Sequence, residues 1–113
     1  MSVASTDIYV LSIKLSVANV AKRFVTATGG KPARQSNAIG VTQTAGAKDD
    51  LVAVTVLGTA VVTAAGRIAA GAAVEVDADG KVVTHSANKV AVGRALSAAK
   101  ADGDDIQVFI IPN

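Results

Sequence analysis

Cysteine and tryptophan are absent from this chain, and its 113 residues carry one histidine, two prolines and three aromatic side chains, Tyr9, Phe24 and Phe109. Without cysteine, neither a disulfide framework nor a thiolate metal site can form, and the redox compartment stays open. The lone His85 has no cysteine to share zinc with, and a loop histidine beside Ser86 reads as a polar loop residue. No G-x-S-x-G elbow accompanies it, so a nucleophilic triad has no basis. The glycines of ATGGK and AAGRIAAG lack the spacing and following helix of a phosphate loop. No enzyme and no cofactor is therefore expected. No run of 18 apolar residues occurs, and MSVASTDIYVLSIK lacks the basic and apolar blocks of a signal peptide. The expectation is synthesis in the cytoplasm, with no membrane partner.

What is present is small and aliphatic. Hydrophobic residues make up 50% of the chain and charged ones 18%. The core must then be built from Val, Ala, Ile and Leu, each burying little area, and oligomerisation is a plausible supplement to stability. The net charge of +2 is unevenly placed: residues 1–47 hold five basic groups against Asp7, whereas residues 48–113 hold six basic and eight acidic ones. The basic half has only Tyr9 and Phe24 as aromatics and its cations are scattered, so direct nucleic-acid binding is not expected. A solvated face, or a complement to an acidic protein surface, fits better.

The chain organises around Leu51 to Val83. Val52, Val54 and Val56 alternate with Leu51, Ala53, Thr55 and Leu57, the two-residue period of a strand, and Gly58 is expected to break the run. Gly66 and Gly71 bracket a short turn. Asp79-Gly80, between VEVD and KVV, is the strongest hairpin signal and predicts a tight primed turn. Asp77, Asp79 and Gly80 echo the start of a calcium loop, but its later carboxylates are missing, and a hairpin tip is the better reading. Upstream, residues 1–7 read as a flexible arm, and Ile8 to Val17 as a half-exposed strand with Tyr9, Leu11, Ile13, Leu15 and Val17 on one face. Phe24–Thr28 and Ala38–Thr44 are further strands. So are Lys81–Thr84, Val90–Leu96 and Ile106–Ile111, with Gly93 inside Val90–Leu96 and Gly103 in the turn before the last.

The two halves of the chain resemble each other. Ala38-Ile39-Gly40-Val41, the turn at Lys48-Asp49-Asp50 and Leu51-Val52-Ala53-Val54 run parallel to Ala91-Val92-Gly93-Arg94, the turn at Asp102-Gly103-Asp104-Asp105 and Ile106-Gln107-Val108-Phe109. These patterns predict an all-β fold: a single domain over residues 8–113, a small antiparallel barrel or sandwich of two similar β units, about 24–54 and 74–109, with the first strand outside the repeat. The Asp49/Asp50 and Asp102/Asp104/Asp105 clusters could meet at a cation, but solvated turns are the better reading, and no metal is expected.

The succession LGTAVVTAAGRIAAGAAVEVDADGKVV, then VAVGRALSAAKADGDDIQVFIIPN, resembles the capsid cement, or head-decoration, proteins of tailed bacteriophages. The likeness rests on Gly58, Ala60 and Val62; on Ala65, Gly66, Ile68, Ala70, Gly71 and Val74; on Asp77, Asp79, Gly80 and Val83; on the Gly93-Arg94-Ala95-Leu96 run; and on Gly103, Asp104, Ile106, Val108 and Ile110. It covers about residues 20–113. The resemblance implies a non-enzymatic structural protein of the virion that binds the capsid exterior and bridges major capsid protein subunits, often as a trimer. On that reading Ile8, Tyr9, Leu11, Ile13 and Leu15 are candidate capsid contacts, and Gly58, Gly66, Gly71, Asp79, Gly80, Gly93 and Gly103 are structural turn positions. The alternative, a small-ligand or carbohydrate-binding β module, suffers from the shortage of aromatics and of convergent polar groups.

Overall fold

The computed structural model describes residues 6–86 and 88–113, with side chains from Tyr9 onward. Most of the expected arm lies outside that range, and Thr6 and Asp7 already belong to the first strand. Among the described residues eight strands and no helix are formed: β1 (Thr6–Lys14), β2 (Phe24–Val25), β3 (Gly40–Thr42), β4 (Leu51–Thr63), β5 (Ala73–Val76), β6 (Val82–Thr84), β7 (Gly93–Ala95) and β8 (Asp105–Ile110). The sheet order is β2-β3-β4-β8-β7-β5-β6, with β1 paired to β4 beside that path, and all named strand pairs are antiparallel. This is an all-β fold, a sheet curled into a half-barrel.

The valine-rich stretch becomes a single 13-residue strand, β4, on which the molecule is hung. Its first half pairs with β1 on one edge and β3 on the other; its second half pairs with β8. Gly58 does not break the run as expected. It sits inside β4 at φ +104°, next to the place where the β1 register shifts on either side of Tyr9. Glycine's access to positive φ lets the strand bend around a bulge rather than end. Gly93 lies in β7, inside the strand expected over Val90–Leu96, and a Cβ there would press on Val108 and the Phe109 backbone, so it serves close packing rather than a turn. The expected strands at 24–28 and 38–44 shrink to two and three residues, because the chain between them turns away after Val25.

The two halves share one pattern of backbone hydrogen bonds. The Leu15 N–H donates to the Asp50 carbonyl (2.9 Å) and the Asp49 N–H to the Leu15 carbonyl (2.8 Å); Ala64 stands in the same relation to Asp104 (2.7 Å) and Gly103 (2.9 Å). Asn19 and Gly46 exchange a bond pair, as do Ile68 and Ala99. The Asp50 carboxylate accepts the Ala47 N–H (2.9 Å), and the Asp104 carboxylate the N–H groups of Lys100 (2.8 Å) and Ala101 (3.2 Å). In this pattern β1 lies against the first half of β4 as the second half of β4 lies against β8. The first strand thus takes part in the repeated arrangement, contrary to the expectation, and β4 serves both halves.

Two apolar clusters follow from the alternation. The larger joins Phe24, Val62, Val74, Val76, Val92, Ile106, Val108 and Ile110 with several alanines; the smaller joins Ile13, Leu15, Val25, Val52 and Val54. Adjacent Phe24 and Val25 feed different clusters, as side chains alternating across a strand must.

The β5–β6 hairpin closes differently from the expected primed turn. The Asp77 N–H donates to the Lys81 carbonyl (2.9 Å), the Gly80 N–H to the Asp77 carbonyl (3.1 Å), and within the turn from Asp77 to Gly80 only Gly80 has positive φ (+79°). This is a type I turn followed by a left-handed glycine, a common three-residue hairpin connection. Asp77 Oδ1 secures it by accepting from the N–H groups of Asp79 (2.9 Å) and Lys81 (3.0 Å). The tip then docks on the start of β2, where the Phe24 N–H donates to the Gly80 carbonyl (2.8 Å).

Candidate interaction surface

The five candidate contacts separate by depth. Tyr9 is 56% exposed, whereas Leu15 is fully buried and Ile13 nearly so. Leu11 is half-buried against the smaller cluster, and the Ile8 side chain lies outside the described residues. Ile13 and Leu15 face inward because the apolar side of β1 is already covered by Val25, Val52 and Val54 of the same chain. They support the surface from beneath and do not form it.

What β1 presents outward is an edge. Among the described residues it pairs with β4 alone, so its other side carries backbone N–H and C=O groups outside any strand ladder. Tyr9 stands opposite Leu57, and Lys14 opposite Leu51. Leu51 is 71% exposed and Leu57 also faces solvent, so the rim of β1 and β4 is apolar with little cover. Farther along β4, Thr59 pairs with Phe109 of β8, 47% exposed, and Phe109 pairs with Arg94 of β7. Two of the three aromatic residues are therefore spent on the surface. Sequence reasoning missed Leu51, Leu57 and Phe109, although the alternation Ile106, Val108, Ile110 signals that Phe109 points away from the core.

The acidic residues serve the scaffold. Asp50 and Asp104 hold loop N–H groups, Asp49 lies 3.9 Å from the Lys14 ammonium, and Asp102 lies 3.4 Å from that of Lys81. Asp105 accepts from Lys22 Nζ (2.8 Å) and from the Thr63 hydroxyl (2.8 Å). The Lys22 ammonium, helped by that hydroxyl and by Arg23, outweighs the effect of burial and holds the Asp105 carboxyl below its ordinary range. Glu75, on β5, went unnoticed in the sequence. Its side chain is buried and accepts the Ser86 N–H (2.6 Å). Burial pushes this carboxyl up, but the Ser86 N–H, the Gln35 side chain and the charges of His85 and Arg34 outweigh it and leave the group lowered. Among the described residues no three carboxylate or imidazole groups converge as a metal site would require.

The surface is thus a bare strand edge with an apolar rim, on a scaffold whose charged groups tie loops together. A model of the phage cement protein family matches residues 3–110. The chain belongs to the phage cement protein family. No curated protein matches it in sequence. Among solved structures, this cement protein is similar to the head fiber gp8.5 N base of bacteriophage phi29, with a TM-score of 0.76 at 20% identity, covering 91% of this chain and 93% of that one. At that identity the likeness is one of fold. Membership makes the cement protein a capsid-associated structural protein, in a family that is in general non-enzymatic.

Proposed function

We propose that this cement protein binds the exterior of an assembled phage head and stabilises it by bridging major capsid protein subunits. The observation that carries the reading is the unpaired edge of β1 with its rim of Tyr9, Leu51 and Leu57, on a chain of the phage cement family. An extended segment of a capsid subunit laid along that edge would gain main-chain hydrogen bonds, with specificity from the rim side chains. A ligand that binds only the intact shell stabilises it by linkage, and many modest contacts add up over a shell. Self-association, with a trimer favoured, would join several such edges in one particle and multiply its contacts with the shell. Synthesis in the host cytoplasm and addition to the finished shell complete the proposal.

The test mixes the purified protein with undecorated heads and reads co-sedimentation and resistance to heat. Removing residues 1–17 would strip Ile13 and Leu15 from the core, so the contact is probed by the folded variant Tyr9→Ser/Leu57→Ser instead. Binding and protection by the full chain, weakened in that variant, are expected. A full chain that binds no heads overturns the proposal.

A further inference from the structure

A groove of about 430 Å³ runs between the loop before β2 and the tip of the β5–β6 hairpin. Arg23, Lys31 and Lys81 line it against one acidic residue, Asp79, and Asn19 completes its wall. No aromatic residue lines it.

Its cations stand on fixed backbone. Arg23 donates its N–H to the Thr42 hydroxyl (3.2 Å), and that hydroxyl in turn donates to the Val20 carbonyl (2.8 Å). The Lys81 N–H is held by Asp77, and the loop is pinned by the bond pair between Asn19 and Gly46. The charged heads, by contrast, are lightly engaged. Lys31 is 3.9 Å from Asp79, Lys81 is 3.4 Å from Asp102, and Arg23 gives one N–H to the Lys22 carbonyl at 3.3 Å. Asp79 and Asp102 are both well exposed, and contacts of this kind are readily exchanged. Asn19 lines the groove from the loop, its Oδ1 accepting the Val20 N–H (2.9 Å).

We propose that this groove receives an acidic stretch of a partner polypeptide, with at least two carboxylates shared among Arg23, Lys31 and Lys81. Resting on the reading above, it assigns the partner to the capsid protein. Arg23 suits a carboxylate because its planar donors can engage both oxygens, whereas the two lysines act as point charges on either side. The absence of an aromatic platform separates this groove from one built for single-stranded nucleic acid.

The experiment has two arms. In the first, the full chain is titrated with hexaglutamate and, separately, with an oligodeoxynucleotide of equal charge, while backbone amide resonances are followed by NMR. Hexaglutamate should shift Asn19, Arg23, Lys31 and Lys81, and the affinity should fall at least tenfold in Lys31→Gln/Lys81→Gln. In Lys48→Gln/Lys100→Gln, which removes the same charge elsewhere, it should hold. No shift at the groove, equal loss in both variants, or preference for the oligonucleotide overturns the proposal. In the second arm the same variants, checked for unchanged thermal unfolding, are mixed with heads. A tenfold loss of binding confined to the groove variant supports the assignment to the capsid, and equal binding by both variants overturns it. If the full chain binds no heads, the functional reading and the capsid assignment fail together, and the peptide titration still decides whether the groove takes carboxylates.

Discussion

Gly80 offers the sharpest perturbation, because two independent demands meet there. Its φ of +79° is a conformation that disfavours any side chain, at a cost of roughly 1–2 kcal/mol for an L-residue. A Cβ at this position would also collide with the Phe24 carbonyl oxygen and lie 3.1 Å from the Phe24 nitrogen. Moving the hairpin tip away would relieve the collision, but it breaks the bond from the Phe24 N–H to the Gly80 carbonyl beside a fully buried phenyl ring. A buried donor left unpaired costs about 1–3 kcal/mol. Gly80→Ala should therefore lose about 3 kcal/mol. For a domain of this size that is a fall of roughly 12 °C in the thermal midpoint, at about 4 °C per kcal/mol. Gly103→Ala is the internal control: its φ is +94°, yet nothing lies within 4 Å of an added Cβ. It should lose only the conformational part, about 1–2 kcal/mol. Calorimetric unfolding of the two variants side by side decides the matter. Equal midpoints would refute the docking of the hairpin tip on β2, and an unchanged midpoint in Gly80→Ala would refute the turn itself.

Other consequences follow from the same geometry. Leu15→Ala, which empties a fully buried site in the smaller cluster, should cost about 2–5 kcal/mol, measured by urea unfolding; a loss under 1 kcal/mol would mean that β1 is not part of the core. The Asp105 and Glu75 carboxyls are held low in the folded state, so they contribute stability above their unfolded values, near pH 4, and lose it as pH falls through the folded ones. Thermal midpoints should drop below about pH 4 for that reason, and Asp105→Asn should flatten the drop; an unchanged pH profile in the variant would exclude Asp105 as a contributor. Asp104→Ala should free the N–H groups of Lys100 and Ala101 and speed their hydrogen exchange, with Asp50→Ala doing the same at Ala47. Protection unchanged at both loops would show that these carboxylates do not secure them.

Much of the architecture is legible in the sequence because strands announce themselves through a two-residue period, and β4, β5 and β8 carry it in valine and isoleucine. The acidic turns mark loops with one hydrogen-bonding pattern, but the bonds align Asp50 with Asp104 and Asp49 with Gly103, one residue away from the match that the sequence suggests. What sequence could not show was the part set by distant chain. Gly58 reads as a break until β1 is known to lie across from it, and the need for glycine at Gly93, inside an expected strand, shows only once Val108 and Phe109 are placed beside it. The apolar face of β1 reads as free for a partner because its true cover, Val25 of β2 and Val52 and Val54 of β4, comes from elements distant in the chain. The likeness of β1 to the second half of β4 is carried by backbone bonds at Leu15 and Ala64, residues that look nothing alike in sequence. Tyr9 alone of the five candidates is well exposed, which moves the surface from a face to an edge.

The central claim is attachment to an assembled shell through the edge of β1. Its most direct measurement is co-sedimentation of the protein with undecorated heads, comparing the full chain with Tyr9→Ser/Leu57→Ser after both are shown to unfold at the same temperature. Saturable binding by the full chain and at least tenfold weaker binding by the variant is the predicted result. Equal binding by the two would contradict the role of the edge, and no binding by the full chain would contradict the account as a whole.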